Sequence, residues 1–267
     1  MKLAVSNIAW EQSADERMYA IIKEKGFSGL EIAPTRIFAE NPYGKLEQAA
    51  DWSNDLMQSY GFSVASMQSI WFGRTEKLFG AKEERQILLD YTRQAIDFAK
   101  AVQCGNLMLG CPKNRNVPDH MEHGSVQEIA EEFFRTLGEY AAGNGTVLAI
   151  EPNPAIYGTN FINTTEDAFA FVKRINSRGF RVNLDVGTML ANGETPKVIM
   201  GKTAYINHVH ISEPGLGLIL QRDLHRDLIK ILKEENYQGF ISIEMGKREC
   251  NEEVIKILDY VRNRVEE

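Results

Sequence analysis

The sequence predicts a closed (β/α)8 barrel, and three features predict it. Eight short β-like runs alternate with segments of helical period from one end of the chain to the other. Several of those helical segments stop near a glycine or open on a capping residue. The length, 267 residues, is ordinary for one α/β barrel and long for most other lone domains. Eight strands close around an interior that side chains fill, so strict alternation fits a barrel better than an open doubly wound sheet. Residues 1–267 are therefore expected to form one barrel domain, since no linker, charge block, low-complexity tract or repeat beyond the βα alternation interrupts them.

In order, the expected strands are Leu3–Ile8, Gly29–Ala33, Ser63–Gln68, Asn106–Leu109, Val147–Glu151, Arg181–Asp185, Asn207–Ile211 and Phe240–Glu244. The expected helices are Asp15–Lys25, Lys45–Tyr60, Glu83–Val102, Val126–Gly143, Glu166–Ser177, a short one near Pro196–Lys202, Asp223–Glu235 and Glu252–Arg264. "KEKGF", "SYGF", "VQCGN" and "NSRGF" supply stop glycines. "NTTEDAF" supplies a cap, with Thr164 or Thr165 accepting from first-turn amides and acids at the positive end of the helix dipole. Two glycine signals are set aside. "GLG" at Gly215–Gly217 lacks a third glycine and follows the seventh strand, and "GKT" at Gly201–Thr203 has Pro196 where a phosphate loop needs glycine.

Composition bounds the function. A hydrophobic share of 43% with 25% charged residues is the balance of a globular chain. The net charge of -7 disfavours nucleic acid as a partner, because such binding rests on clustered Lys and Arg. No apolar run spans a bilayer, and "MKLAVSNIAWEQSADE" turns polar too early for a signal sequence. Cys104, Cys111 and Cys250 form no CxxC pair and are expected as reduced thiols, so a cytoplasmic location is expected.

Active-site groups of a barrel stand at the C-terminal ends of its strands. "VLAIEPNP" ends in Glu151, "RVNLDVG" in Asp185 and "FISIEMG" in Glu244, while "INHVHIS" holds His210, all on four consecutive strands. Period-two alternation puts His208 and His210 on one face, with His208 one step deeper as a core or orienting residue. Three gathered carboxylates repel, and a divalent cation resolves the repulsion. One imidazole and three carboxylates suit a hard or borderline ion, Mn²⁺, Co²⁺ or Mg²⁺, with Zn²⁺ also compatible, and leave positions for two substrate oxygens.

These residues carry a resemblance. "LAIEPNPAIYGTNFINT", "VNLDVGTM", "HVHISEP" and "NYQGFISIEM", in this order and spacing, are similar to the xylose isomerase-like sugar phosphate isomerase/epimerase superfamily, the AP endonuclease 2-type barrel, over nearly the whole chain. The resemblance implies that Glu151, Asp185, His210 and Glu244 hold the metal. It also implies that Glu151 and Glu244 are the catalytic acid/base pair, and that a small sugar, sugar phosphate or hydroxy-carbonyl substrate is isomerised or epimerised through a metal-stabilised enediolate. An inosose-type dehydration at the same site is the alternative. An endonuclease IV-like nuclease fits poorly, because that chemistry uses many histidines and this chain has five. Barrels of this group pair, so the resemblance allows a homo-oligomer.

Two positions depart from the ketose 3-epimerase pattern: Thr188 stands where a substrate-binding histidine is expected and Leu216 near the place of an arginine. Threonine can still donate to substrate; leucine cannot. Other substrate contacts expected at strand ends are Trp10, Trp71, Glu31, Gln68, Lys113, Arg115, Asn153 and His208, with Phe72, Tyr157 and Lys247 beside them. The aromatic residues would cover the apolar side of a sugar, the amides and Glu31 would meet hydroxyls, and Lys113 and Arg115 would meet a phosphate or carboxylate.

Overall fold

The computed structural model describes residues 1–267. Eight parallel strands close into a barrel in sequence order: β1 (Lys2–Ser6), β2 (Gly29–Ile32), β3 (Ser63–Met67), β4 (Leu107–Leu109), β5 (Leu148–Ile150), β6 (Phe180–Asp185), β7 (Ile206–Ile211) and β8 (Phe240–Ile243). β8 returns to β1 through the register Lys2 to Phe240 and Val5 to Ile243, which closes the cylinder. Nearly every strand residue is buried, as expected when helices cover one face of a sheet and side chains fill the other.

The helices are α1 (Asp15–Glu24), α2 (Pro34–Ile37), α3 (Leu46–Tyr60), α4 (Lys82–Ala101), α5 (His123–Gly143), α6 (Thr165–Ile175), α7 (Val186–Asn192), α8 (Asp223–Glu234) and α9 (Asn251–Glu266). α6 begins as its sequence demands. Thr164 Oγ1 accepts from Asp167 N at 3.1 Å and Asp167 returns the contact to Thr164 N at 3.0 Å. α3 stops at Gly61 in the left-handed region, φ 76°. α6 instead ends on Asn176, φ 51°. Gly179 serves packing, since a Cβ there would lie 2.0 Å from Gly138 O and 2.6 Å from Ala142 N, where α5 crosses the entry to β6.

The sixth βα unit corrects the sequence reading. The segment expected as a helix near Pro196–Lys202 holds only a 3₁₀ turn, Pro196–Ile199, and the true helix is α7, which starts directly after β6. Asp185 is its N-cap and accepts from Thr188 N at 2.7 Å. A two-turn helix of small and apolar residues, buried along its first turn, has no polar face and so no amphipathic stripe to read. No helix is long and apolar enough to cross a membrane.

Depth along the barrel follows from strand register. At the floor, Gly29 leaves room for the Phe240 ring: a Cβ there would stand 2.5 Å from Phe240 Cε1, 2.8 Å from Ala65 Cβ and 3.0 Å from Ala4 Cβ. Above it, β7 pairs His208 with Phe240 and His210 with Ser242. Asp185 ends β6, while Glu151 and Glu244 lie one residue past β5 and β8. All three acids thereby reach the rim above His210.

Candidate metal centre and cleft

Glu151, Asp185, His210 and Glu244 converge, each offering a ligand atom within 4.8 Å of the others. His210 is central. Its Nδ1 lies 3.2 Å from Glu151 Oε2 and 3.2 Å from Glu244 Oε2, and its Nε2 lies 2.9 Å from Glu31 Oε2 beneath. When Nε2–H donates to Glu31, the Nδ1 lone pair faces two carboxylate oxygens. That arrangement needs a proton or a cation between them, and the oxygen- and imidazole-rich donor set fits a divalent ion.

Surrounding groups fix every ligand. Asn183 Nδ2 donates to Glu151 Oε2 at 2.9 Å, and Asn153 Nδ2 donates to Glu151 Oε1 at 3.1 Å. Asp185 accepts from the Thr188 amide, from the Thr188 hydroxyl at 2.8 Å, and from Ser212 Oγ, which itself accepts from Gly187 N at 2.8 Å. Gln68, with its amide nitrogen turned toward the acids, donates to Glu244 Oε1 at 2.9 Å and Glu31 Oε1 at 2.7 Å while its oxygen accepts from Ser6 Oγ at 3.2 Å. His208 Nε2 lies 2.7 Å from Ser242 Oγ and 3.2 Å from Glu31 Oε2. Glu31 thus bridges both imidazoles, and a chain of carboxylate, imidazole and ligand cluster is complete.

Charge in this space is strained. Burial pushes Glu151 and Asp185 above the usual carboxylate range, and repulsion from Glu244 and Glu151 respectively pushes the same way. Burial also raises Glu244, against the pull of His210. Burial opposes a charged His210, yet Glu244, Glu31 and Glu151 outweigh it and hold the imidazole well above its ordinary value. Glu31 moves down despite burial, because His210 and His208 stabilise its anion. Without a cation the cluster keeps protons it would shed in water, and a divalent cation satisfies the same field.

The acids open into a cleft of about 730 Å³ lined by Glu151, Asp185 and Glu244 at its base, and by Trp71, Lys113 and Asn153 among the residues expected from sequence. Phe72 and Leu216 also line it, and Tyr157 points its hydroxyl oxygen at Gly215 N, accepting at 2.7 Å. Seven expected contacts do not line the cleft. Glu31, Gln68 and His208 are buried and engaged with the acid cluster or with His210 and one another. Trp10 is buried outside it, its Nε1 donating to Asp15 Oδ1 at 2.8 Å. Thr188 is wholly buried, and besides Asp185 its hydroxyl meets only Pro152 O at 2.7 Å. Arg115 is wholly buried as well. It donates to Gly110 O at 2.6 Å, Phe161 O at 3.2 Å, Glu151 O at 2.5 Å and Asn153 Oδ1 at 2.6 Å, so it braces the loops after β4 and β5. Lys247 pairs with Glu11 on the surface.

Sequence reading missed Asn183, Ser212 and Arg74. Asn183 and Ser212 stand two residues from Asp185 and His210, so alternation alone places them on the same inward face. Arg74 lies in a loop, where no period points to it. His120, His123 and His225 do not line the cleft.

One imidazole and three carboxylates stand at the C-terminal rim of an eight-stranded parallel α/β barrel, in a cluster that could hold a metal ion. The chain belongs to the family described as "Xylose isomerase-like TIM barrel", whose profile matches residues 19–263. No curated protein sequence matches the chain. Among solved structures, it is similar to a D-psicose 3-epimerase from Clostridium cellulolyticum H10, with TM-score 0.82 and 16% identity over 99% of each chain. A 3-keto-D-glucoside 4-epimerase from E. coli matches with TM-score 0.75 and 20% identity over 98% of this chain and 99% of that one. A probable 3-DHS dehydratase from Bacillus anthracis matches with TM-score 0.72 and 15% identity over 100% of this chain and 99% of that one. At these identities the likeness is one of fold.

Proposed function

We propose that the chain is a divalent-metal-dependent isomerase or epimerase of a small carbohydrate or hydroxy-carbonyl compound. Glu151, Asp185, His210 and Glu244 would hold the ion, with Mn²⁺ the first candidate. When bound, the cation supplies Lewis-acid stabilisation of the negative charge that develops on substrate oxygen. Everything else falls to the chain's own residues. One of Glu151 and Glu244 removes the proton from the carbon next to the carbonyl, and the other returns a proton. Asn153 and Asn183 aim the Glu151 carboxylate, and Gln68 aims that of Glu244. Burial favours the protonated form of both acids, which suits groups that must hold a proton in turn.

A single observation carries the reading: two buried carboxylates from β5 and β8 face one cleft, with His210 Nδ1 lying 3.2 Å from each. The sugar epimerases among the solved neighbours agree with it. The test is solvent-deuterium exchange on Mn²⁺-loaded protein across ketoses, their phosphates and inososes, followed by mass spectrometry. Deuterium uptake without loss of water supports isomerisation or epimerisation, and loss of water assigns dehydration instead. Full exchange in both Glu151→Gln and Glu244→Gln would overturn the acid/base roles.

A further inference from the structure

The cleft has a second pole that the acid cluster does not explain. Besides Glu151, Asp185 and Glu244, its lining includes Arg74 from the loop after β3 and Lys113 from the loop after β4. These loops are stitched together: Asn114 Nδ2 donates to Arg74 O at 3.0 Å and Glu76 O at 2.9 Å, Leu78 N donates to Asn114 O at 2.8 Å, and Lys77 Nζ donates to Lys113 O at 2.8 Å. The two loops that carry the cations are thereby tied to each other.

Their donors are not used up by the protein. Lys113 Nζ makes no ion pair or hydrogen bond, and Arg74 Nε is buried without a partner. Glu76 is the one acid paired with Arg74, at 3.0 Å through NH2. The other acid lining the cleft, Glu213, is neutralised by a two-point contact with Arg222 at 2.7 Å for each bond. Excess positive charge on these loops stands out in a chain of net charge -7. The span is short. A Cβ on Gly110 would lie 3.1 Å from Glu151 Oε1, and Lys113 follows Gly110 by three residues, which reach at most about 11 Å when extended.

We propose that Arg74 and Lys113 form an anion subsite, so that the substrate carries a carboxylate or phosphate at the end remote from the carbon being deprotonated. Trp71 and Phe72 line the same cleft and give the intervening carbon skeleton an apolar surface. The proposal rests on the metal-dependent isomerase reading for what binds at the acidic pole. The subsite itself depends only on the two cations. A charge-assisted hydrogen bond to each corresponds to roughly tenfold to a hundredfold in affinity.

Calorimetric titration of Mn²⁺-loaded protein with three unreactive probes of one carbon skeleton tests this: D-glucitol, D-gluconate and D-glucitol 6-phosphate. The expected result is that at least one anionic probe binds tenfold or more tightly than D-glucitol, and that Lys113→Met with Arg74→Gln abolishes the difference while Mn²⁺ affinity stays unchanged. The better anion names the group. Equal binding of all three probes, binding of none, or an anionic preference that survives both substitutions overturns the subsite. Repeating the titration on metal-free protein separates the two readings: anionic preference with no Mn²⁺ uptake would sink the metal-centred function and leave the subsite standing.

Discussion

Glu31→Gln separates a positioning role for Glu31 from simple core packing. Glu31 is fully buried, with Oε2 2.9 Å from His210 Nε2 and 3.2 Å from His208 Nε2. At an effective dielectric of about 20, a full charge pair at that shorter distance would interact by about 6 kcal/mol, an upper bound because burial of both groups offsets most of it. The amide keeps the size of the acid and one acceptor oxygen, so His210 stays near its place while losing the anion that orients Nε2–H. Carboxylates that act on a metal through histidine are worth tenfold to a hundredfold in metal affinity, or about 1.4 to 2.8 kcal/mol.

The assay is titration with Mn²⁺, reading the free ion by electron paramagnetic resonance at neutral pH, with thermal unfolding of the metal-free protein alongside. Weaker Mn²⁺ binding in a variant that stays folded is expected. Unchanged affinity combined with a lowered melting temperature would refute the reasoning, because Glu31 would then support the barrel without acting through His210. Absence of Mn²⁺ binding in the unsubstituted protein would refute the metal centre outright.

Two further outcomes follow from buried polar groups. His225 is buried with Nδ1 2.9 Å from the Tyr260 hydroxyl and Nε2 unpartnered, and burial pushes its imidazole from 6.5 down to about 4. A depressed base resists protonation in the fold, so its share of stability is intact above pH 6.5 and is lost as pH falls toward 4; about 2 kcal/mol of a possible ~3 should be gone by pH 5. Denaturant titrations of His225→Gln should show a flatter fall than the unsubstituted protein in this window only, and parallel curves would exclude the effect. Arg115→Met removes the donor from three buried acceptors and one part-buried one and should cost about 3 kcal/mol or more in unfolding free energy, with Mn²⁺ affinity also reduced through the freed Asn153. A change within error in both measurements would show that the guanidinium is not the brace described.

Much of this architecture is legible in the sequence, because period-two and period-3.6 patterns record what the barrel buries. The eight strands lie close to their expected positions, and the acids ending three of them meet His210 for the same reason. Depth was harder to read. Glu31 was expected to meet a substrate hydroxyl, but it lies inside β2, paired in register with Ser6 of β1 and Ser66 of β3, and so sits below the rim that Glu151 and Glu244 reach by standing one residue past their strands. Loop cations were harder still. Arg115 and Lys113 are two residues apart, yet one is wholly buried and the other exposed at the cleft, a difference made by carbonyls of β5 and its following loop that no local pattern records.

The two departures from the ketose 3-epimerase pattern, Thr188 and Leu216, share a structural basis. Thr188 directs its amide and hydroxyl to Asp185, so both of its donors serve to hold that carboxylate. Leu216 lines the cleft with an apolar side chain, and its carbonyl accepts from Gly246 N at 2.9 Å, tying the loop after β7 to the loop after β8. The β6–β7 side of the cleft therefore has two fewer polar groups for substrate than the pattern expects. Among the other polar groups lining the cleft are Asn153 after β5, Lys113 after β4 and Arg74 after β3. A substrate with an anionic end placed against β3 and β4 does not need the missing arginine, and this is why loss of the two cations, more than any change at Leu216, should decide what the cleft accepts.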